Sequence, residues 1–149
     1  MNKKVIVKVL LGICSVLLLT GCGKASQGDA GKEEIKKKAV IELESNPTTG
    51  YTWSYQMTGD GKMVFKSEDF IEGRQGEDQI AGAPGRSRYV FEAEKAGQVS
   101  VVFEYKQDWE GGEKAYTVTY NFEVEKNLNV KFVDKNSEEL SEFSEPVIE

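Results

Sequence analysis

Tyr51-Thr52-Trp53-Ser54-Tyr55-Gln56-Met57 sets Tyr51, Trp53, Tyr55 and Met57 against Thr52, Ser54 and Gln56. Successive side chains of a strand point to opposite faces, so this alternation predicts an extended segment with one face on a core. The same period returns at Ala39, Ile41 and Leu43; at Met63 and Phe65; at Tyr89, Phe91 and Ala93; at Val99, Val101, Phe103 and Tyr105; and at Tyr116, Val118, Tyr120, Phe122 and Val124. Helical spacing is nowhere sustained. Turn chemistry separates the runs, as in Gly59-Asp60-Gly61, Gly82-Ala83-Pro84-Gly85, Ala96-Gly97 and Gly111-Gly112. Several short alternating strands joined by glycine-rich turns predict an all-β sandwich or barrel, of which the antiparallel β-sandwich is favoured.

The segment that leads into the quoted strand, Asn46-Pro47-Thr48-Thr49-Gly50, is polar and stiff. Pro47 fixes its own φ and biases Asn46 toward extended geometry, Thr48 and Thr49 are restricted at χ1, and Gly50 permits a backbone angle that other residues avoid. Two further segments fall outside the alternation, Gly82 to Arg86 and Gln107 to Gly112. Gly82 and Gly85 flank Ala83-Pro84 and leave room for a partner's backbone to approach. Trp109 stands in a polar, glycine-rich turn, which fits either a recognition anchor or a ring folded back over the sandwich edge. Asn46-Pro47 and Gly50 are also ordinary turn chemistry. In a Greek-key sandwich, loops between alternate strands gather at one end, so the three segments are expected to form one continuous edge.

Composition removes most catalytic alternatives. The 149 residues contain no His, the commonest general base and metal ligand. Of the two cysteines, Cys14 lies in an apolar run flanked by Lys3, Lys4 and Lys8, and Cys22 ends the sequence Leu19-Thr20-Gly21-Cys22. This is the pattern of a lipoprotein signal peptide over residues 1–21, with cleavage after Gly21 and lipid on the Cys22 thiol. The apolar run is shorter than the roughly 20 residues that a bilayer crossing needs. The exported part would have no thiol for a nucleophile, a disulfide or a metal, and no cofactor is expected. It would be held on the outer face of the bacterial cell membrane by diacyl attachment.

Residues 22–38 read as a flexible tether, residues 39–125 as one domain, and residues 126–149 as an extra strand at Val130, Phe132 and Val133 followed by a mobile acidic tail. A run from Ser137 to Phe143 is long enough for one marginal helical turn. With 19 Lys and Arg against 25 Asp and Glu the chain is acidic, which argues against nucleic acid as a partner. Adjacent carboxylates such as Glu68 and Asp69 point to opposite faces of a strand and make a poor acid/base pair. A lipid-anchored cell-surface adhesion or assembly module is one reading that composition leaves open.

Taken in order, Asn46-Pro47-Thr48-Thr49-Gly50-Tyr51-Thr52-Trp53, Gly82-Ala83-Pro84-Gly85 and Trp109 resemble the three inhibitory loops of the chagasin-like inhibitors of papain-family cysteine peptidases. The resemblance implies an immunoglobulin-like fold and a monomer that acts on a papain-like cysteine peptidase without covalent chemistry. It places Asn46, Pro47, Thr48, Thr49 and Gly50 nearest the enzyme's catalytic cysteine, with Gly82, Ala83, Pro84, Gly85 and Trp109 gripping the walls to either side. The third loop departs from the family's usual Arg-Pro, because this chain has Gln107-Asp108 before Trp109. Loss of a buried charge-assisted contact there would cost about 1.5 to 3 kcal/mol.

Overall fold

Eight strands account for nearly every alternating run in residues 34–73, 83–139 and 142–149, the parts of the chain that a computed structural model describes. They are β1 (Lys38–Ser45), β2 (Tyr51–Gly59), β3 (Lys62–Glu72), β4 (Gly85–Lys95), β5 (Gly97–Gln107), β6 (Lys114–Val124), β7 (Val130–Ser137) and β8 (Val147–Ile148). One sheet has the order β3-β4-β1-β8 and the other β2-β5-β6-β7, with antiparallel pairing throughout. The architecture is an immunoglobulin-like antiparallel β-sandwich. The expected signal peptide, Cys22, most of the expected tether and Gly82 lie outside the described residues.

Side chains from the two inner faces meet in an aromatic core. Ile41, Leu43, Tyr89 and Phe91 come from one sheet, and Val101, Phe103, Val118, Tyr120 and Phe122 from the other. Phe103 sits at the centre, fully buried, with the rings of Trp53, Tyr55, Tyr89, Phe91 and Tyr120 around it. Tyr51, Trp53, Tyr55 and Met57 face inward as the alternation predicts but are only partly buried. The reason is position, since β2 is an edge strand and its neighbour on one side is solvent.

Two departures from the sequence expectation change which residues reach the core and the loop end. In β3 the register against β4 slips at Lys66, so that Phe65 faces Phe91 while Ser67 faces Val90. One extra residue reverses the faces of everything that follows. The second departure is at the C-terminus, where the sequence reading expects a mobile acidic tail. In the structure Val147 and Ile148 instead pair with Val40 and Ala39, and Glu149 and Lys38 exchange backbone hydrogen bonds of 2.8 and 2.9 Å. Phe143 packs edge-on against Trp53 and Tyr116, and the Tyr120 hydroxyl donates to Ser144 O at 3.0 Å. Burial pushes the Tyr120 phenol up to about 12, which keeps that donor protonated. Three apolar side chains among many Glu and Ser suffice, because the edge of β1 offers unpaired backbone groups. None of the described residues within 137–143 is helical. At the other terminus Lys36 and Lys37, placed in the tether by sequence, already bond the sandwich through Val130 N to Lys36 O and Ala93 N to Lys37 O.

The end of the sandwich away from the three loops is tied by Asp60, whose carboxylate accepts from Gln98 N at 2.8 Å. That backbone donor holds the Asp60 carboxyl below its ordinary range, and Lys131 followed by Asn129 does the same for Glu125. A depressed folded-state pKa contributes stability above the unfolded value and loses it as pH falls through the folded one. The urea midpoint is therefore expected to fall as pH drops from about 5 into the range below 4, with a shallower decline in an Asp60→Asn, Glu125→Gln double variant. Identical pH profiles for the two proteins would remove these carboxylates from the acid response. Both groups are solvent-exposed, so the effect is expected to be small.

Candidate functional site

Strand register brings the three segments to one end. Ser45, the last residue of β1, lies opposite Gly85, the first of β4, and Tyr51, the first of β2, lies opposite Gln107, the last of β5. The Asn46–Gly50 loop thus begins beside the exit of the second segment and finishes beside the entrance to the third.

The first loop is a single 3-10 turn over Pro47–Thr49, held almost entirely by its own atoms. Asn46 caps it: its side-chain oxygen accepts from Thr48 N at 3.2 Å and from the Thr48 hydroxyl at 2.6 Å. The Thr49 hydroxyl donates to Asn46 O at 2.6 Å, and Thr49 N donates to the same oxygen at 3.1 Å. Gly50 ends the turn at φ 77°, a left-handed value, with its N–H donating to Pro47 O at 3.3 Å. Pro47, Thr48 and Thr49 are nonetheless exposed. Capping, hydroxyl bonds and a fixed proline leave a projecting turn with little freedom to lose on binding.

An aromatic platform carries this turn. Asn46 N donates to the Tyr105 hydroxyl at 2.9 Å, Tyr51 stacks on Tyr105 with centroids 5.3 Å apart, and the Trp53 ring centroid lies 4.7 Å from that of Tyr105. The Trp53 indole N–H donates to Glu44 O at 2.9 Å and so joins the two sheets just below the loop. Tyr105 was not among the expected site residues. Its role depends on register, which alternation alone does not fix. Tyr105→Phe is expected to cost about 0.5 to 1.5 kcal/mol in urea unfolding and to weaken function of the first loop by less than tenfold. Unchanged values in both measurements would remove the hydroxyl from the support of the loop.

The third segment closes on itself through Gln107, whose side chain accepts from Glu113 N at 3.1 Å while its backbone N–H donates to Glu113 O at 3.0 Å. Gly112 N donates to Trp109 O at 2.9 Å across a turn in which Gly111 has φ 77°. Gln107 at the point of departure from the family pattern therefore staples the base of the loop. Trp109 is 55% exposed, and its ring lies against Gly50, where an added Cβ would sit 2.7 Å from Cη2 and Cζ3. The indole bridges the third loop to the first, and more than half of its surface is left for another molecule.

In the second segment the described residues are Ala83, Pro84, Gly85 and Arg86, the last two in β4. Pro84 is exposed, while Gly85 is buried within β4. The space that sequence reading leaves open above Gly85 is taken by the ring of Phe70, 2.6 Å from where a Cβ would stand. Glu68 and Asp69 do lie on opposite faces of β3, opposite Tyr89 and Arg88, and Glu68 accepts from the Tyr89 hydroxyl at 2.7 Å. Among the described residues there is no group of three or more His, Cys, Asp or Glu side chains placed to hold a metal ion.

A rigid sandwich that presents a capped turn and an exposed indole side by side is a protein-binding module of the immunoglobulin-like class. The family model described as "Chagasin family peptidase inhibitor I42" matches residues 34–124, and the chain belongs to that family. Its members are peptidase inhibitors and not enzymes. Among solved structures, the crystal structure of the cysteine protease inhibitor EhICP2 from Entamoeba histolytica matches with a TM-score of 0.50 and 22% identity, over 58% of this chain and 78% of that one. That likeness is one of fold. No curated protein sequence matches the chain.

Proposed function

We infer that this chain is a reversible, noncovalent inhibitor of papain-like cysteine peptidases that occludes the active-site cleft with the loop end of its sandwich. The observation that carries the reading is the seat of Trp109 on Gly50, which makes one continuous edge of two loops some 60 residues apart. A peptidase takes its substrate as an extended strand, whereas Pro47–Thr49 is wound into a 3-10 turn with both threonine hydroxyls already bonded inward. Such a turn fills a cleft without offering a peptide bond in cleavable geometry. Trp109 and the Ala83-Pro84 segment would rest on the walls to either side, and the inhibitor needs no thiol of its own.

Membership of the chagasin family and the likeness to EhICP2, a cysteine protease inhibitor, support this choice of enzyme class. Titration of papain with the full-length chain in a mild detergent tests it. Activity should fall toward zero near stoichiometric addition, with the enzyme's catalytic thiol recovered unmodified and the inhibitor uncut after dissociation. Full activity at excess protein, across a panel of papain-like enzymes, would reject the reading. Lipid attachment at Cys22 belongs to the same proposal and is supported by the Leu19-Thr20-Gly21-Cys22 sequence after an apolar run. Metabolic labelling with a fatty-acid analogue should mark the wild-type chain and leave Cys22→Ser unlabelled.

A further inference from the structure

We propose that Phe70, on edge strand β3 and outside all three loops, is a fourth contact residue for the peptidase and helps to set which enzymes are bound. This rests on the inhibitor reading above.

The argument begins with the extra residue in β3. From Met63 and Phe65, simple alternation would turn Phe70 away from the core, to the outer face of the sheet. The slip at Lys66 reverses this, and Phe70 stands opposite Ser87, on the same face as the buried Tyr89 and Phe91. Yet Phe70 is 44% exposed, and its ring lies over Gly85. A bulge has therefore re-aimed a large aromatic to the rim of the sandwich, at the loop end, without burying it. Bulges commonly re-aim side chains at functional sites.

Position and rigidity make the ring more than a scattered surface phenylalanine. It lies over Gly85, which stands opposite Ser45, the residue before the first loop, one strand spacing (~5 Å) away. The arrangement repeats that of Trp109. In each case an aromatic ring occupies the space above a glycine at the loop end, and each ring keeps about half its surface free. Trp109 stands in the loop between β5 and β6 of one sheet and Phe70 on β3 of the other, so the two rings come from different sheets. A half-exposed aromatic fixed on a rigid element is the kind of group that becomes a binding hot spot. Phe65, 43% exposed on the same strand, supplies the contrast, because its ring packs on the rings of Tyr55 and Phe91.

The test compares inhibition constants against papain and unfolding temperatures for the full-length wild-type chain, Phe70→Ala, Phe70→Tyr and Phe65→Ala. Phe70→Ala is expected to raise the inhibition constant about 10- to 30-fold, chiefly through faster dissociation, at nearly unchanged unfolding temperature. Phe70→Tyr keeps the ring and should stay within about threefold of wild type. Phe65→Ala should lower the unfolding temperature and leave inhibition close to wild type. A wild-type inhibition constant for Phe70→Ala overturns the proposal while the loop wedge stands. Equal losses of inhibition for Phe70→Ala and Phe65→Ala would indicate general loosening of β3 and also overturn it. Failure of the wild-type chain to inhibit would defeat the inhibitor reading itself, and this proposal with it.

Discussion

Replacing Gly50 with alanine is expected to raise the inhibition constant by about 100- to 1000-fold while the sandwich stays folded. Two costs combine. Alanine in a left-handed conformation is disfavoured by about 1 to 2 kcal/mol, and the residue sits at φ 77°. Its methyl group would also stand 2.7 Å from two ring atoms of Trp109, so either the indole leaves its seat or the 3-10 turn opens. Losing a binding hot spot of this kind costs about 2 kcal/mol or more. The global stability should fall by no more than about 1 to 2 kcal/mol, because Gly50 belongs to the projecting turn and not to the core. Inhibition assays and urea unfolding on the same protein separate the two effects. Near-wild-type inhibition by Gly50→Ala would mean that the seat of Trp109 has no bearing on binding.

Phe103→Ala should have the opposite profile, with a loss of about 3 to 5 kcal/mol in unfolding free energy. Phe103 is 0% exposed and its ring touches aromatic side chains from both sheets, so truncation leaves a void that neighbours anchored in two sheets cannot jointly fill. A single domain of this size commonly has only about 5 to 15 kcal/mol in hand, so the variant should be marginal at 37 °C. Urea denaturation followed by tryptophan fluorescence reads the change. A loss below about 1 kcal/mol would contradict the inter-sheet packing around this ring.

The sandwich was legible because its signal is short-range. Val99 to Tyr105 and Tyr116 to Val124 carry the period of two in their own composition, and each became a central strand with one buried face. What escaped sequence reading depends on register and on long-range pairing. The slip at Lys66 leaves no compositional mark, and with it went the aim of Phe70. Val147 and Ile148 look like two apolar residues in an acidic tail until the free edge of β1 gives them a partner. Deleting residues 134–149 would remove part of β7, all of β8 and the Phe143 support beneath Trp53.

The candidate site was legible to a similar depth. Asn46 to Gly50 could be recognised as stiff from Pro47, two threonines and a glycine, and the structure adds where each hydroxyl points. Sequence left two readings of Trp109 open, an anchor and a ring folded back over the edge. The structure shows a ring that does fold back, onto Gly50, yet stays more than half exposed. Gly85 went the other way, since its openness on paper is filled by Phe70. Gln107, expected only as the site of a missing cation, closes the third loop through Glu113.

The most direct measurement is amide hydrogen exchange on the full-length chain, free and saturated with papain. Protection should appear at Thr48 to Gly50 and Asp108 to Glu113, and extend to Ala83 and Gly85, with no change at the Gly59-Asp60-Gly61 and Ala96-Gly97 turns of the opposite end. Protection confined to that opposite end, or binding with no protection at the three loops, would contradict the account.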